Sequence, residues 1–345
     1  MSIYTIRQAR GCEYSKIQHF LDTFWKKGHS LVKSKPLLDF QHYNIENDLY
    51  SYIIAVNNET SEIDALEGYI TTAQYDSSLK EQGDYWGAIW KKRDDINNEE
   101  SNDIGMEVFM RIFESPDLHS FAAIGISKIA KKIYKAFQCK IGYLHQFYVL
   151  NENKTQFNIA GNVLPSYIGT GDNYIEETGW RIITIEGRNI CRLSLKSYYR
   201  PFKTIQYFVN RYVNHPIYHY EFLGVYKNEE LISLWAYRTL DVNGDKVIRV
   251  VDVLGKLEGS LYSQLQLLLQ RSNSEYLDIL NYGISPELFE KMGFRELDLS
   301  GSLILPNYYE PFEQSNVKIE VAVKSDYDNY VAFKGDSDQD RPNIL

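Results

Sequence analysis

The period of the apolar positions changes along the chain, and each change marks an element. Residues 2–7 alternate polar and apolar as a strand does, while 14–27 spaces its apolar residues as an amphipathic helix does. Two apolar runs, 50–56 (YSYIIAV) and 63–71 (IDALEGYIT), flank the polar turn Asn57-Asn58-Glu59-Thr60 and predict a hairpin. The polar stretch 76–84 gives way to an aromatic strand at 85–90 (YWGAIW), and the charged run KKRDDINNEESND predicts a solvated loop. Residues 104–113 read as a further strand, 124–137 as an amphipathic helix and 141–150 as a closing strand. The polar, glycine-bearing segment 152–173 then interrupts the pattern.

The same order begins again beyond it. Residues 180–185 read as a strand, and Pro201 opens a helix over 202–213 that stops at His215-Pro216. A hairpin over 222–238 follows, then a strand at 247–254 that runs into Gly255 and Gly259. A helix over 261–270, a strand at 276–279 and a short helix ending in Met292-Gly293-Phe294 complete the series. The two halves repeat a domain-sized unit, not a solenoid period. The expected fold class is α/β, with mixed sheets in two tandem domains, 1–165 and 166–345.

Composition narrows the possible functions. With 44% hydrophobic and 14% aromatic residues the 345-residue chain can fill two cores. A net charge of −9 counts against a nucleic-acid partner, which needs a basic face. Cys12, Cys139 and Cys191 are widely spaced and form no CxxC pair, as expected of reduced thiols in the cytoplasm. No apolar run approaches the roughly 18 residues of a membrane span, so no membrane insertion is expected. Serine-hydrolase elbows, phosphate-binding GxxxxGK[ST] loops and HExxH or paired CxxC metal motifs are missing, and no metal is expected.

Three stretches carry candidate chemistry. In Asp84-Tyr85-Trp86-Gly87-Ala88-Ile89-Trp90 an acid stands beside two indoles; indoles stack on sugar or base faces, and a carboxylate orients an amine, although a Trp-anchored core strand would read the same way. In LPNYYEPF, Asn307, Tyr308 and Glu310 crowd hydrogen-bonding groups into one turn. The last stretch, GDSDQDRPN, has the composition of a solvated tail. It also offers Arg341, with Lys334 just before it, as donors to phosphate, and Asp338, Asp340 and Asn343 as partners for sugar hydroxyls. Its spaced aspartates mimic a calcium loop, but Arg341 stands where that loop needs glycine.

The stretch 221–299 resembles the GCN5-related N-acetyltransferase (GNAT) fold. The likeness rests on the strand 247–254, the turn Gly255-Lys256-Leu257-Glu258-Gly259-Ser260, the helix after it and the ending FEKMGF. The resemblance implies that the fourth strand splays from the fifth and that the pantetheine arm of acyl-CoA lies between them. Val251, Asp252 and Val253 would edge that gap, their amides facing the developing oxyanion, and Gly255, Gly259 and Ser260 would face the pyrophosphate. The turn departs from the family's Q/R-x-x-G-x-G/A pattern, and Phe289 stands where many members carry a tyrosine acid. In the first half the turn expected at 114–125 has no GxG, so that half is not expected to bind CoA.

Together the three stretches resemble the tandem-GNAT sugar N-acyltransferases of surface-polysaccharide pathways, among them the anthrose-pathway enzymes that acylate a dTDP-4-amino-4,6-dideoxyglucose. That resemblance implies a first half anchoring a nucleotide-sugar acceptor and a second half housing an acyl-CoA donor. It also implies direct attack without a dedicated base, with Asp84 and Glu310 orienting the amine and Trp86 and Trp90 in the acceptor site. A homo-oligomer is compatible with it. Two other readings stay open, a Fem-like aminoacyl transferase and a catalytically silent sugar- or nucleotide-binding protein.

Overall fold

The computed structural model describes residues 3–96, 101–171 and 173–343. The middle of the charged run expected as a solvated loop, 97–100, lies outside these residues. Two large mixed sheets organise the chain, in agreement with the α/β expectation. The first runs in the order Tyr4–Arg10, Leu49–Asn57, Ile63–Thr71, Asp84–Lys92, Ser120–Ile124, Glu320–Ser325, Lys140–Tyr143. The second runs Trp180–Ile185, Glu221–Lys227, Glu230–Val242, Asp245–Gly255, Ser274–Tyr282, His145–Leu150, Arg295–Glu296.

The two orders match position for position, including an exchange. The sixth place of the first sheet is filled by Glu320–Ser325 from late in the chain, and the sixth place of the second by His145–Leu150 from the first half. The expected single strand 141–150 is therefore two strands, broken at Leu144 and divided between the sheets. The sheets thus share strands across the 165/166 division expected from the sequence.

In each sheet the fourth strand bulges and then leaves the fifth. Parallel pairing joins Lys246–Val250 to Ser274–Ile279. It stops at Val251, the extra residue of a bulge against Ala236 and Tyr237. In the first sheet Asp84–Gly87 pairs in parallel with Ser120–Ala123, and the register against Ile63–Thr71 slips just beyond Gly87. Helices Ile104–Phe113 and Tyr262–Ser272 connect the parting strands. The first of these was expected as a strand. Its buried residues Ile104, Val108, Phe109 and Ile112 instead follow the 3.6-residue period, and Phe109 packs against Phe121 and Tyr134. The first half's strand-to-helix connection therefore leaves Lys92 and enters the helix at Ile104, and does not lie at 114–125. The helix expected to open at Pro201 begins at Ile205, because the Thr204 hydroxyl accepts the Tyr207 amide and caps it there.

Both gaps are filled by the segment 330–343. Ala332 and Phe333 pair with Tyr282 and Asn281, the Lys334 amide donates to the Leu280 carbonyl (3.2 Å), and the Gly335 amide donates to the Val251 carbonyl (2.7 Å). Two and four residues on, the Ser337 hydroxyl donates to the Gly87 carbonyl and the Gln339 side-chain amide to the Ile124 carbonyl, across the opening of the first sheet. Composition suggested a solvated tail; Ala332 to Asp340 is buried apart from Gln339. The reason is the set of cations around it. Lys203 Nζ lies 2.6 Å from Asp252 and 2.7 Å from Asp336, and Arg211 donates to the Gly335 and Ser337 carbonyls.

Removing that ammonium leaves two buried carboxylates facing each other. Lys203→Ala is expected to lose about 3–5 kcal/mol of folding stability in urea denaturation, whereas the exposed Lys291→Ala should stay within about 0.5 kcal/mol of the parent. Equal stabilities for the two variants would show that the segment is held by other contacts.

Candidate active site

The two arginines that wall the candidate site come from the middle of strands. Arg238 on Glu230–Val242 and Arg249 on Asp245–Gly255 interrupt otherwise apolar runs. Arg249 is held bidentately by Asp278 (3.0 and 2.6 Å) and donates to the Pro306 and Asn307 carbonyls, which fixes the turn bearing Tyr308 and Glu310. Arg238 lies flat on the Tyr218 ring, 3.2 Å from its centroid, and bonds Asp340 at 3.0 Å. Glu310 accepts from the Tyr218 hydroxyl at 2.9 Å and lies 3.7 Å from Arg238.

These contacts bring two of the sequence stretches together. Asn307, Tyr308 and Glu310 share one cavity of about 40 Å³ with Lys334, Asp340, Arg341 and Asn343. A volume of that size has room for only a few waters. A larger ligand needs the Tyr308–Glu313 hairpin, whose Tyr308 is exposed, to swing outward. Asp338 is turned away from the cavity onto Arg341.

The lining carries an excess of positive charge. Arg238, Arg249, Lys334 and Arg341 face Glu310 and Asp340, in a chain whose net charge is −9. Lys334 is buried, with its ammonium 5.7 Å from the Tyr308 ring and no hydrogen bond or ion pair among the described residues. Burial, reinforced by Arg249 and Arg341, pulls its pKa down to about 8. Burial likewise lowers Arg341, whose Nε is enclosed and has no hydrogen-bond partner among the described residues. Burial alone would raise the Asp340 carboxyl, but Arg238, the Tyr220 hydroxyl and Lys334 outweigh it and hold it below the usual range. A buried ammonium without an acceptor and one free guanidinium N–H, next to a satisfied carboxylate, are the donors that an anion in this cavity would meet.

The expected donor residues lie around the gap in the second sheet. The Val251 carbonyl is taken by Gly335. The Val253 amide is taken by the Asp252 carboxylate (2.8 Å), which also binds Lys203 and the Tyr212 hydroxyl (2.7 Å). Asp252 is therefore a buried cross-link, and the Val253 amide is not open to an oxyanion. Gly255 has φ +92°, and a Cβ there would stand 2.4 Å from the Ile232 carbonyl oxygen; at Gly259 (φ +120°) it would meet the Trp180 ring at 2.8 Å. Both are glycines because the turn doubles back against its neighbours. Among the described residues the amides of Glu258, Gly259 and Ser260 have no hydrogen-bond acceptor, and these three residues line a cavity of about 420 Å³ at the start of helix Tyr262–Ser272. A second cavity, about 400 Å³, adjoins it between Leu257 and Ile284. The Ser260 hydroxyl is already engaged by Tyr174 and the Glu177 amide.

The residues expected from DYWGAIWK do not join either place. Trp86 is buried in the core, and half-buried Trp90 stacks one face on Phe109 (4.6 Å) with its indole N–H on the Gly105 carbonyl, so both rings pack against the core. The core-strand alternative holds for both. Asp84 is buried at the edge of a different cavity and accepts from the Ser120 hydroxyl at 2.5 Å. Burial raises its pKa against the pull of Ser120 and Arg200. Arg238 and Arg249, absent from the residues expected from the sequence, carry their signal as charges inside apolar strands. Lys203, Arg211 and Tyr212 left no local signal, because their partners are distant in sequence.

No family model and no curated protein matches the chain by sequence. Solved structures do. The GCN5-related N-acetyltransferase from Anabaena variabilis superposes with a TM-score of 0.54 over 93% of this chain and 72% of its own, at 4% identity. The GCN5-related N-acetyltransferase from Kribbella flavida gives 0.50 over 93% and 70%, at 6% identity. At such identities the likeness shows the fold. The chain has the two-sheet, GNAT-like architecture expected from its sequence.

The charge on Lys334 supplies a pH test of the cationic cavity. Its folded pKa lies below the usual lysine value, so the ammonium is present below about pH 8 and lost above it. Sulfate, which does not itself titrate in this range, should bind more weakly as pH rises through 8 in calorimetric titrations. Lys334→Met should bind weakly throughout and show no step.

Proposed function

We propose that the chain is a CoA-dependent N-acyltransferase that moves an acyl group from acyl-CoA to the amine of a nucleotide-linked amino-deoxysugar, in the cytoplasmic biosynthesis of a surface polysaccharide. The observation that carries this reading is the parting of the bulged strand Asp245–Gly255 from Ser274–Tyr282, next to unbonded turn amides on one side and an anion-receptive cavity on the other. The acceptor lies in the cationic cavity lined by residues 218–343, and the donor lies along the turn that opens helix Tyr262–Ser272. The nucleotide's phosphates lie against Lys334 and Arg341, and Asp340 and Asn343 take hydroxyls of the sugar. The donor's pyrophosphate lies on the Glu258, Gly259 and Ser260 amides, at the positive end of a helix.

The chemistry asks little of a base. The amine attacks the thioester carbonyl in its neutral form, a C–N bond forms, the C–S bond breaks and the departing sulfur takes the proton. Glu310, held by Tyr218 and Arg238, orients the amine. Proximity in one cleft supplies most of the acceleration. For the thioester to reach the acceptor, the segment 330–335 has to move from between Val251 and Leu280.

The same filled gap favours one rival, a catalytically silent protein that binds the sugar nucleotide alone. Thiol release from acetyl-CoA and hydroxyacyl-CoA, against a panel of dTDP- and UDP-amino sugars, separates the two. Turnover with an amino sugar is expected, and Glu310→Gln should lower kcat/KM about 10- to 100-fold, the loss of one charge-assisted hydrogen bond. Tight binding of a nucleotide-sugar with no thiol release from either donor would leave the silent reading.

A further inference from the structure

Negative charge is unevenly spread along the chain. The net charge is −9, yet residues 118–151 hold no Asp or Glu. Within that stretch the helix Lys128–Ala136, capped by the Ser127 hydroxyl, carries Lys128, Lys131, Lys132 and Lys135. Its apolar side is already taken, with Tyr134 buried and Ala130, Ile133 and Phe137 packed around it on the first sheet.

The other side faces solvent. Lys128, Lys132 and Lys135 recur at helical spacing, and all three are exposed without a hydrogen bond or ion pair among the described residues. Lys131 continues the face and bonds Glu320 at 2.5 Å on the strand beneath. Lys318, two residues before that glutamate, stands over the Tyr143 ring at 4.5 Å, and Tyr143 is the cross-strand partner of Glu320. The Lys131 hydrogen bond, helped by the charges of Lys318 and Lys128, holds the Glu320 carboxyl below its usual range, so these ammonium groups gather around one acid. Ile129 stands among them, 75% exposed. The face is thus lysine and isoleucine, with a single carboxylate that is already paired.

That composition selects the kind of partner. Protein interfaces are depleted in lysine and enriched in arginine and aromatic residues, and the exposed side of this helix offers neither. Nucleic-acid readers grip phosphates and bases with arginine and amide side chains, which the helix also lacks. Ammonium groups on long flexible stems suit a diffuse field of negative charge, such as anionic lipid headgroups present. We propose that this face docks the protein on an anionic lipid bilayer, its lysines at the headgroups and Ile129 entering between them. Docking needs no spanning segment, and among the described residues no helix is long and apolar enough to cross a membrane. The proposal does not rest on the acyl-transfer reading.

The test is cosedimentation of the whole protein with vesicles of phosphatidylcholine alone and with about 30% phosphatidylglycerol. A duplex DNA and polyglutamate are the competing probes. The protein should bind the mixed vesicles and not the neutral ones, and raising salt from about 50 to 500 mM should weaken binding at least about tenfold. Each lysine near an anionic surface strengthens binding about fivefold, so K128E/K132E/K135E should bind at least about a hundredfold more weakly. K26E/K27E/K246E makes the same change of charge at exposed lysines elsewhere and should stay within about threefold of the parent. Both variants are checked for unchanged melting. The proposal is overturned if the mixed vesicles do not bind, if neutral vesicles bind as well, or if the DNA or polyglutamate displaces the protein from them at equal charge. It is equally overturned if the two triple variants lose the same affinity, because net charge and not this face would then be responsible.

Discussion

The arrangement depends on one buried ammonium between two carboxylates. Lys203 joins Asp252, on the strand edging the gap in the second sheet, to Asp336, in the segment that fills it. Enclosing three charges is expensive unless every one is paired and hydrogen-bonded. Here the Tyr212 hydroxyl and the Val253 and Phe333 amides complete the shell. Burial still pushes Asp336 up to about 6, opposed by Lys203 and raised further by the neighbouring Asp252. The segment that reaches across both sheets is therefore placed by this ion pair together with the buried Tyr330, Val331, Ala332 and Phe333, and the cationic cavity is assembled around its later residues.

Much of this fold could be read from periodicity, and the failures have physical causes. The hairpins, the strand into Gly255 and the helix after it were legible because each is amphipathic on its own. Ile104–Phe113 was misread because its ten residues are so largely apolar that periods of 2 and 3.6 look alike over that length. The break at Leu144 was invisible because both strands around it are apolar and the exchange depends on partners far along the chain. In the site, the turn at Glu310 and the segment from Lys334 could be singled out because polar residues crowd there. The indoles of Trp86 and Trp90 misled because their aromatic character serves packing equally well.

Two of the cavities differ in the sign of the charges that line them. One collects arginines and an unpaired lysine inside an acidic chain, so it concentrates anions that the chain's net charge repels. The other collects carboxylates and hydroxyls. The two halves have kept the same strand order while their interiors have diverged in charge.

The exchanged strands also bear on how the molecule is made. Glu320–Ser325 lies between Ser120–Ile124 and Lys140–Tyr143, so it is an interior strand of a sheet whose other members leave the ribosome much earlier. Until it arrives, the first sheet presents two unpaired edges to the cell. The nascent first half is thus an open template during synthesis, and the window in which a chaperone or a second nascent chain can occupy that slot is set by the time taken to translate the second half.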